Sequence, residues 1–89
     1  MGLSFNQQIS VLGYRIHSRD EESILIAKEK DVANIYIFFD IHLRQMTGCI
    51  ATNGLIYNLD QISRHYAVFR EMRQDLKKFQ QLCNYAIID

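Results

Sequence analysis

Residues 35–44 carry the pattern that most constrains the fold of this chain. The odd-numbered positions are all apolar: Ile35, Ile37, Phe39, Ile41 and Leu43. The even-numbered positions are aromatic and then polar or charged: Tyr36, Phe38, Asp40, His42 and Arg44. Because a strand points alternate side chains to opposite faces, this alternation predicts a strand with one face against a core. Residues 34–43 are therefore predicted to form the central strand of a sheet.

Length and composition bound the class of protein. The chain has 89 residues, which predicts one domain over 1–89, and ten basic residues balance ten acidic ones. No apolar run reaches the 18 residues of a membrane span, and no secretory signal is visible at the start. Cys49 and Cys83 are predicted to be reduced thiols, so the expected compartment is the cytoplasm.

Short strands are predicted on both sides of the central strand. Residues 23–29 form a β-branched run, which predicts a strand before it. Asn53 and Gly54 separate two apolar runs, 48–52 and 55–58, and this dipeptide is a strong signal for a hairpin. After Leu43 the apolar phase slips by one residue, which predicts a turn or bulge near residues 45–48. The expected sheet is an antiparallel meander of three to four strands.

Residues 4–17 fit two structures. Ser4 and Gln7 have the spacing of a capping box, and the apolar spacing after Phe5 is helical. Gly13 weakens a helix, and residues 11–16 also suit a strand. A short helix is favoured over a strand. We expect it to cover the sheet face that carries Tyr36 and Phe38, so that these two aromatic residues form a second small core.

The last third predicts a long helix over residues 59–84. An apolar seam recurs every three or four residues: Ile62, His65, Phe69, Met72, Leu76, Phe79 and Cys83. Within it, His65 is interpreted as a core histidine. Basic residues line another edge: Arg64, Arg70, Arg73, Lys77 and Lys78. A helix of ~39 Å would overhang a strand of ~27 Å, so the seam is expected to need a second surface, most simply that of a homodimer.

These elements predict an α+β fold, in which a small antiparallel sheet is packed by a long C-terminal helix. The chain lacks a Gly-rich phosphate loop, Cys-x-x-Cys, His-Glu-x-x-His and Gly-x-Ser-x-Gly. The leading hypothesis is therefore a non-catalytic regulator or inhibitor, without cofactor or metal, that binds another macromolecule. It would bind through the seam of residues 62–83 or through the face of Tyr36 and Phe38, and it is expected to be a homodimer with a protein partner.

Two further hypotheses come from other classes of function. Aromatic residues on an open sheet can stack nucleic-acid bases, so Tyr36, Phe38 and Arg44 could bind nucleic acid together with Lys28, Lys30 and the basic helix edge. The zero net charge counts against that hypothesis. Alternatively, Asp40 and His42 could form a general-base dyad or a metal site if folding brought His17 or His65 to them. Asp-x-His alone is a weak signal, and the polar outer face of a half-buried sheet is the favoured explanation.

Overall fold

The computed structural model describes residues 4–31, 33–52, 54–58 and 67–86, with the backbone alone for 84–86. Its elements are, in chain order, α1 (Phe5–Val11), β1 (Arg15–Arg19), β2 (Ser23–Glu29), β3 (Asn34–Asp40), β4 (Gln45–Thr52), β5 (Leu55–Asn58) and α2 (Ala67–Ala86). The strands form one antiparallel meander in the order β1-β2-β3-β4-β5. The α+β class is confirmed, but the sheet has five strands rather than three to four.

The extra strand comes from the N-terminal segment, which is a helix only in its first half. Ser4 caps α1 with a full capping box. Its hydroxyl accepts a hydrogen bond from the Gln7 backbone N–H, and the Gln7 side-chain oxygen accepts one from the Ser4 backbone N–H. Gly13 then takes φ +90°, a left-handed conformation that ends the helix. The chain continues into β1, so the helical and the extended interpretations of residues 4–17 each hold for one part.

The central strand is shorter than the sequence predicted. β2 runs over residues 23–29 as expected, and it pairs with β3 along its whole length. β3 ends at Asp40, whose carboxylate accepts the backbone N–H of Leu43 and so starts a turn. The turn occupies residues 41–44, and Arg44 takes φ +53° at its end. The turn predicted near residues 45–48 is therefore misplaced, and Leu43 is 66% exposed rather than part of the core.

The hairpin predicted between residues 48–52 and 55–58 is confirmed. Thr52 pairs with Leu55 across the connection between β4 and β5, and Gly54 takes φ +77°. Asn53 lies outside the described residues. Positive φ is expected at this connection because the favoured two-residue turns match the twist of the strands they join.

Both helices pack on the same face of the sheet. Alternate residues of β2, β3 and β4 meet them there in one core: Ile24, Ile26, Ile35, Ile37, Phe39 and Ile50, with Ile9 of α1 and Phe69, Met72, Phe79 and Cys83 of α2. The ring of Phe79 contacts both Phe5 of α1 and Phe39 of β3, with centroids 6.3 Å apart in each pair. One aromatic side chain of α2 thus joins α1 and the sheet.

One expectation for the last helix is overturned by this packing. The seam residues Phe69, Met72 and Phe79 are 4% exposed or less against the chain's own sheet, so they offer no docking surface in the folded chain. The described part of the helix, Ala67–Ala86, spans ~30 Å, close to the ~27 Å of the eight-residue β4. The predicted overhang depends on residues 59–66, which lie outside the described residues. Ile62, Arg64 and His65 lie outside the described residues. No helix in the described ranges is long and apolar enough to cross a membrane.

Candidate functional site: the open face of the sheet

The sheet has a second face, turned away from both helices, which we call the open face. The residue pairs of the five strands place alternate side chains on it: Arg15, Ser18, Ser23, Leu25, Ala27, Glu29, Asn34, Tyr36, Phe38, Asp40, Gln45, Thr47, Cys49, Ala51, Ile56 and Asn58. Tyr36 and Phe38 lie at its centre on β3. The expectation that the N-terminal helix covers these two rings is wrong, because α1 is too short to cross the sheet and packs beside α2 instead.

The centre of the open face is less polar than a solvated sheet face requires. Antiparallel sheets with one face in water usually alternate apolar and polar residues cleanly. Here Tyr36, Phe38 and Leu25 are half-buried, and Ala27 is buried beside Tyr36. At the β5 edge Ile56 is 65% exposed. The result is an apolar centre that reaches one edge of the sheet, with polar residues around it.

The polar surround carries little net charge. Arg15 of β1 forms an ion pair with Glu29 of β2 at 3.3 Å, and both side chains are more than half exposed. A bulge in β1 between Ile16 and Ser18 turns the ring of His17 edge-on to Tyr36, with centroids 6.3 Å apart. An open groove of about 360 Å³ runs from Arg15, Ala27 and Glu29 towards the end of α1. The face is therefore near-neutral, with both signs of charge at its margin.

Asp40 and His42 do not form the predicted dyad. Asp40 is the last residue of β3 and caps the turn, whereas His42 lies inside that turn and is exposed. The two residues no longer share one strand face, which was the basis of the pairing. Among the described residues, no group of three or more histidine, cysteine or acidic side chains could hold a metal ion. His17 is placed on the open face beside Tyr36 rather than at Asp40.

Lys28 and Lys30 do not serve the open face either. Lys28 points to the helix side, where its ammonium lies 2.7 Å from Asp75 Oδ2 and 2.9 Å from Glu71 Oε2. Lys30 binds the other oxygen of Glu71 at 2.7 Å. The hydroxyl of Tyr14 donates to Asp75 Oδ2 at 2.8 Å. These five residues form an ionic cluster that ties the end of β2 to α2.

The ionic cluster is satisfied within itself, which explains its titration. Burial and the hydrogen bond to Asp75 raise the pKa of Tyr14. Burial pushes the pKa of Lys28 down, but hydrogen bonds to Asp75 and Glu71 outweigh it, so the net pKa is raised. The Lys30 hydrogen bond, assisted by Lys28, lowers the pKa of Glu71. At neutral pH Tyr14 therefore stays neutral while Lys28 and Glu71 stay charged, and the cluster ties the sheet to the helix.

The sequence did contain a signal for this cluster. Lys28 shares the alternation of Ile24 and Ile26 along the strand, so its side chain was to be expected on the core side of the sheet. Glu71 and Asp75 stand four residues apart beside the apolar seam, so they lie on the same side of the helix. Asp75 is in fact 6% exposed.

The basic edge and the cysteines occupy other parts of the molecule. The described members of the basic edge, Arg70, Arg73, Lys77 and Lys78, are exposed on α2. They lie across the sheet from the open face, because α2 covers the opposite face. Both cysteines are unbridged. Cys83 lies in the core, where burial raises its pKa to about 12, and burial also raises the pKa of Cys49 on the open face. Neither is therefore a thiolate at neutral pH.

Comparison with known proteins gives no family for this chain: no family model, no curated protein and no solved structure matches it.

Proposed function

We propose that this chain is a non-catalytic interaction protein of the regulator or inhibitor type, which acts in the cytoplasm by binding another protein through the open face. One observation carries the proposal. Tyr36, Phe38 and Leu25 form an apolar centre on a sheet face that both helices leave uncovered. Contiguous exposed apolar surface with a polar rim is typical of protein interaction sites.

The composition of the face supports a protein partner. Aromatic residues are enriched at protein interfaces and charged residues are depleted from their centres. Tyr36 and Phe38 are central, whereas Arg15, Glu29 and Asp40 lie at the margin. Tyr36 can also supply a hydroxyl to a partner while its ring is buried.

Nucleic-acid binding is a weaker proposal on these residues. The aromatic pair and the basic edge lie on opposite sides of the sheet, so one nucleic-acid segment does not reach both. Lys28 and Lys30 are engaged with Glu71, and Arg15 is paired with Glu29. The open face thus has no cationic surplus to attract phosphate. The turn that separates Asp40 from His42 likewise removes the geometry on which an enzyme proposal rested.

Site-specific photo-crosslinking tests the proposal. A photoreactive phenylalanine analogue at position 38 lies on the open face, and the same analogue at position 43 lies in an exposed turn. In cells that express the full chain, we expect a discrete protein adduct from position 38 and none of that mass from position 43. Tyr36→Lys in the same chain should suppress the adduct. Equal adducts from both positions, or none from position 38, would refute the proposal.

A further inference from the structure

The pattern of residues on the open face points to its occupant. We propose that a second copy of this chain binds there, in a two-fold symmetric face-to-face dimer that stacks Tyr36 of each chain on Phe38 of the other. This inference rests on the proposed function, because it names the partner of the same face. It moves the expected homodimer from the helix seam, which is buried in the core, to the sheet.

The rows of the open face define where the two-fold axis lies. The strand register gives four rows across the face: Glu29, Asn34, Ala51 and Ile56; then Arg15, Ala27, Tyr36, Cys49 and Asn58; then Ser18, Leu25, Phe38 and Thr47; then Ser23, Asp40 and Gln45. The two inner rows hold most of the apolar side chains, and the fourth row is wholly polar. An axis between the inner rows, perpendicular to the strands, exchanges the first row with the fourth and the second with the third.

This exchange brings together side chains of compatible chemistry from the two copies. It sets Tyr36 over Phe38 of the second copy, Ala27 over Leu25, and Cys49 over Thr47. It also sets Asp40 over Asn34, so that a carboxylate meets an amide. The other in-plane axis, parallel to the strands, would set Asp40 over Asp40 of the second copy, and like charges in contact are unfavourable. The strands of the two copies therefore run antiparallel, within the angle of about 30° at which stacked sheets pack.

Charge and area also suit a second copy. The face has no strong field that would select a partner of opposite charge, because Arg15 is neutralised by Glu29 and only the charge of Asp40 is left. Five strands of four to eight residues, spaced ~4.8 Å apart, present a plane on the order of 500 Å². Specific interfaces bury about 800 Å² per partner, so this one lies at the lower end of the range. We therefore expect a dimer that dissociates on dilution.

A pair of complementary variants tests both the interface and its axis. In light scattering, the variants Tyr36→Lys and Phe38→Glu should each keep the mass of a single chain. The mass of the wild type should rise towards that of two chains as the concentration increases. An equimolar mixture of the two variants should regain the dimer. In the mixture, the introduced ammonium meets the introduced carboxylate at one contact, and the native Phe38 meets the native Tyr36 at the other.

Controls separate loss of the interface from loss of the fold. Val11→Lys changes a side chain that is 74% exposed on α1, away from the open face, and should dimerise as the wild type does. Circular dichroism checks that each variant is folded. Should Tyr36→Lys unfold, Thr47→Arg replaces an exposed polar residue of the open face and should also give a single chain.

Three results would overturn the inference. A wild type with the mass of one chain at every concentration removes the second copy as occupant; an adduct with a different protein at position 38 would then leave the proposed function standing. Folded variants that dimerise unchanged place self-association elsewhere. A mixture that fails to regain the dimer contradicts the antiparallel axis, because only that axis brings positions 36 and 38 of different chains together.

Discussion

Phe38 and Phe39 are adjacent in sequence and identical in chemistry, yet they belong to different parts of the molecule. Phe39 is 2% exposed in the core between sheet and helices, where its ring contacts Phe79. Phe38 is half-buried on the open face, between Leu25 and Thr47 of the neighbouring strands. The comparison teaches that one strand serves two purposes: its odd residues hold the fold together, and its even residues form the open face, which we propose as the binding surface.

Truncation of the two rings should give the largest difference. We expect Phe39→Ala to lower the free energy of unfolding by about 3–5 kcal/mol, because it leaves a cavity in the core. Phe38→Ala should lower it by only about 1–2 kcal/mol in dilute solution, since that ring is only partly buried. Urea unfolding of both variants at low protein concentration measures the difference. Equal losses would mean that the open face is a second core of the single chain.

The two groups of ion pairs extend the comparison to charged residues. Lys28→Met leaves Asp75 buried without its cation and should destabilise the chain by about 3 kcal/mol. Arg15→Met breaks the pair with Glu29, whose side chains are 56% and 70% exposed, and should change stability by about 0–1 kcal/mol. Thermal unfolding at neutral pH measures both. A Lys28→Met variant as stable as the wild type would show that the ionic cluster does not hold α2 to the sheet.

Gly48 lies where Met72 of α2 packs tightly on the sheet. A Cβ at this position would lie 2.9 Å from Met72 Sδ and 3.4 Å from the Tyr36 carbonyl oxygen. Because Met72 is fully buried, Gly48→Ala should destabilise the chain by about 1–3 kcal/mol through overpacking. At Gly54 an added Cβ meets open space, so Gly54→Ala should destabilise the chain by about 1 kcal/mol through its left-handed φ alone. Denaturant unfolding of the two variants compares them, and a neutral Gly48→Ala would contradict the close packing.

The pH dependence of stability should show the smallest effect, and it too comes from the helix side. Glu71 has a lowered pKa in the folded chain, so its contribution is present above its unfolded pKa of ~4.3 and is lost as the pH falls through the folded value. Lys28 and Tyr14 have raised pKa values, so their contributions are present below about pH 10 and are lost at higher pH. Glu71→Gln should flatten the acid side of the stability profile measured by thermal unfolding. An unchanged acid side would remove Glu71 from this role.

The sequence predicted elements better than their packing. The alternation in β3, the bounds of β2 and the hairpin at Gly54 follow from local rules, and all three are confirmed. The turn at residues 41–44 was misplaced because Ile41 and Leu43 continue the apolar alternation past the point where Asp40 caps a turn. Which face α1 covers depends on where Gly13 ends it, and no periodicity in residues 4–17 fixes that.

The candidate site was predicted in part. Tyr36 and Phe38 were identified from their alternation, but whether they were covered was a question of tertiary packing. The ionic cluster was missed because Lys28 and Asp75 are 47 residues apart and each fits a solvated surface when it is considered alone. Helical periodicity identified the seam of α2, and its burial is confirmed for Phe69, Met72 and Phe79. The expected exposure of these three residues to a partner was wrong, because they pack against the chain's own sheet.

The concentration dependence of unfolding tests the central claim most directly. If the open face binds a second copy, the urea midpoint of the wild type should rise with protein concentration, because self-association stabilises the folded chain by mass action, by up to about 1.4 kcal/mol per chain for each hundredfold increase in concentration. The midpoint of Tyr36→Lys should not change. A wild-type midpoint independent of concentration, or one that rises equally in Tyr36→Lys, would contradict the claim that this face is the binding surface of the dimer.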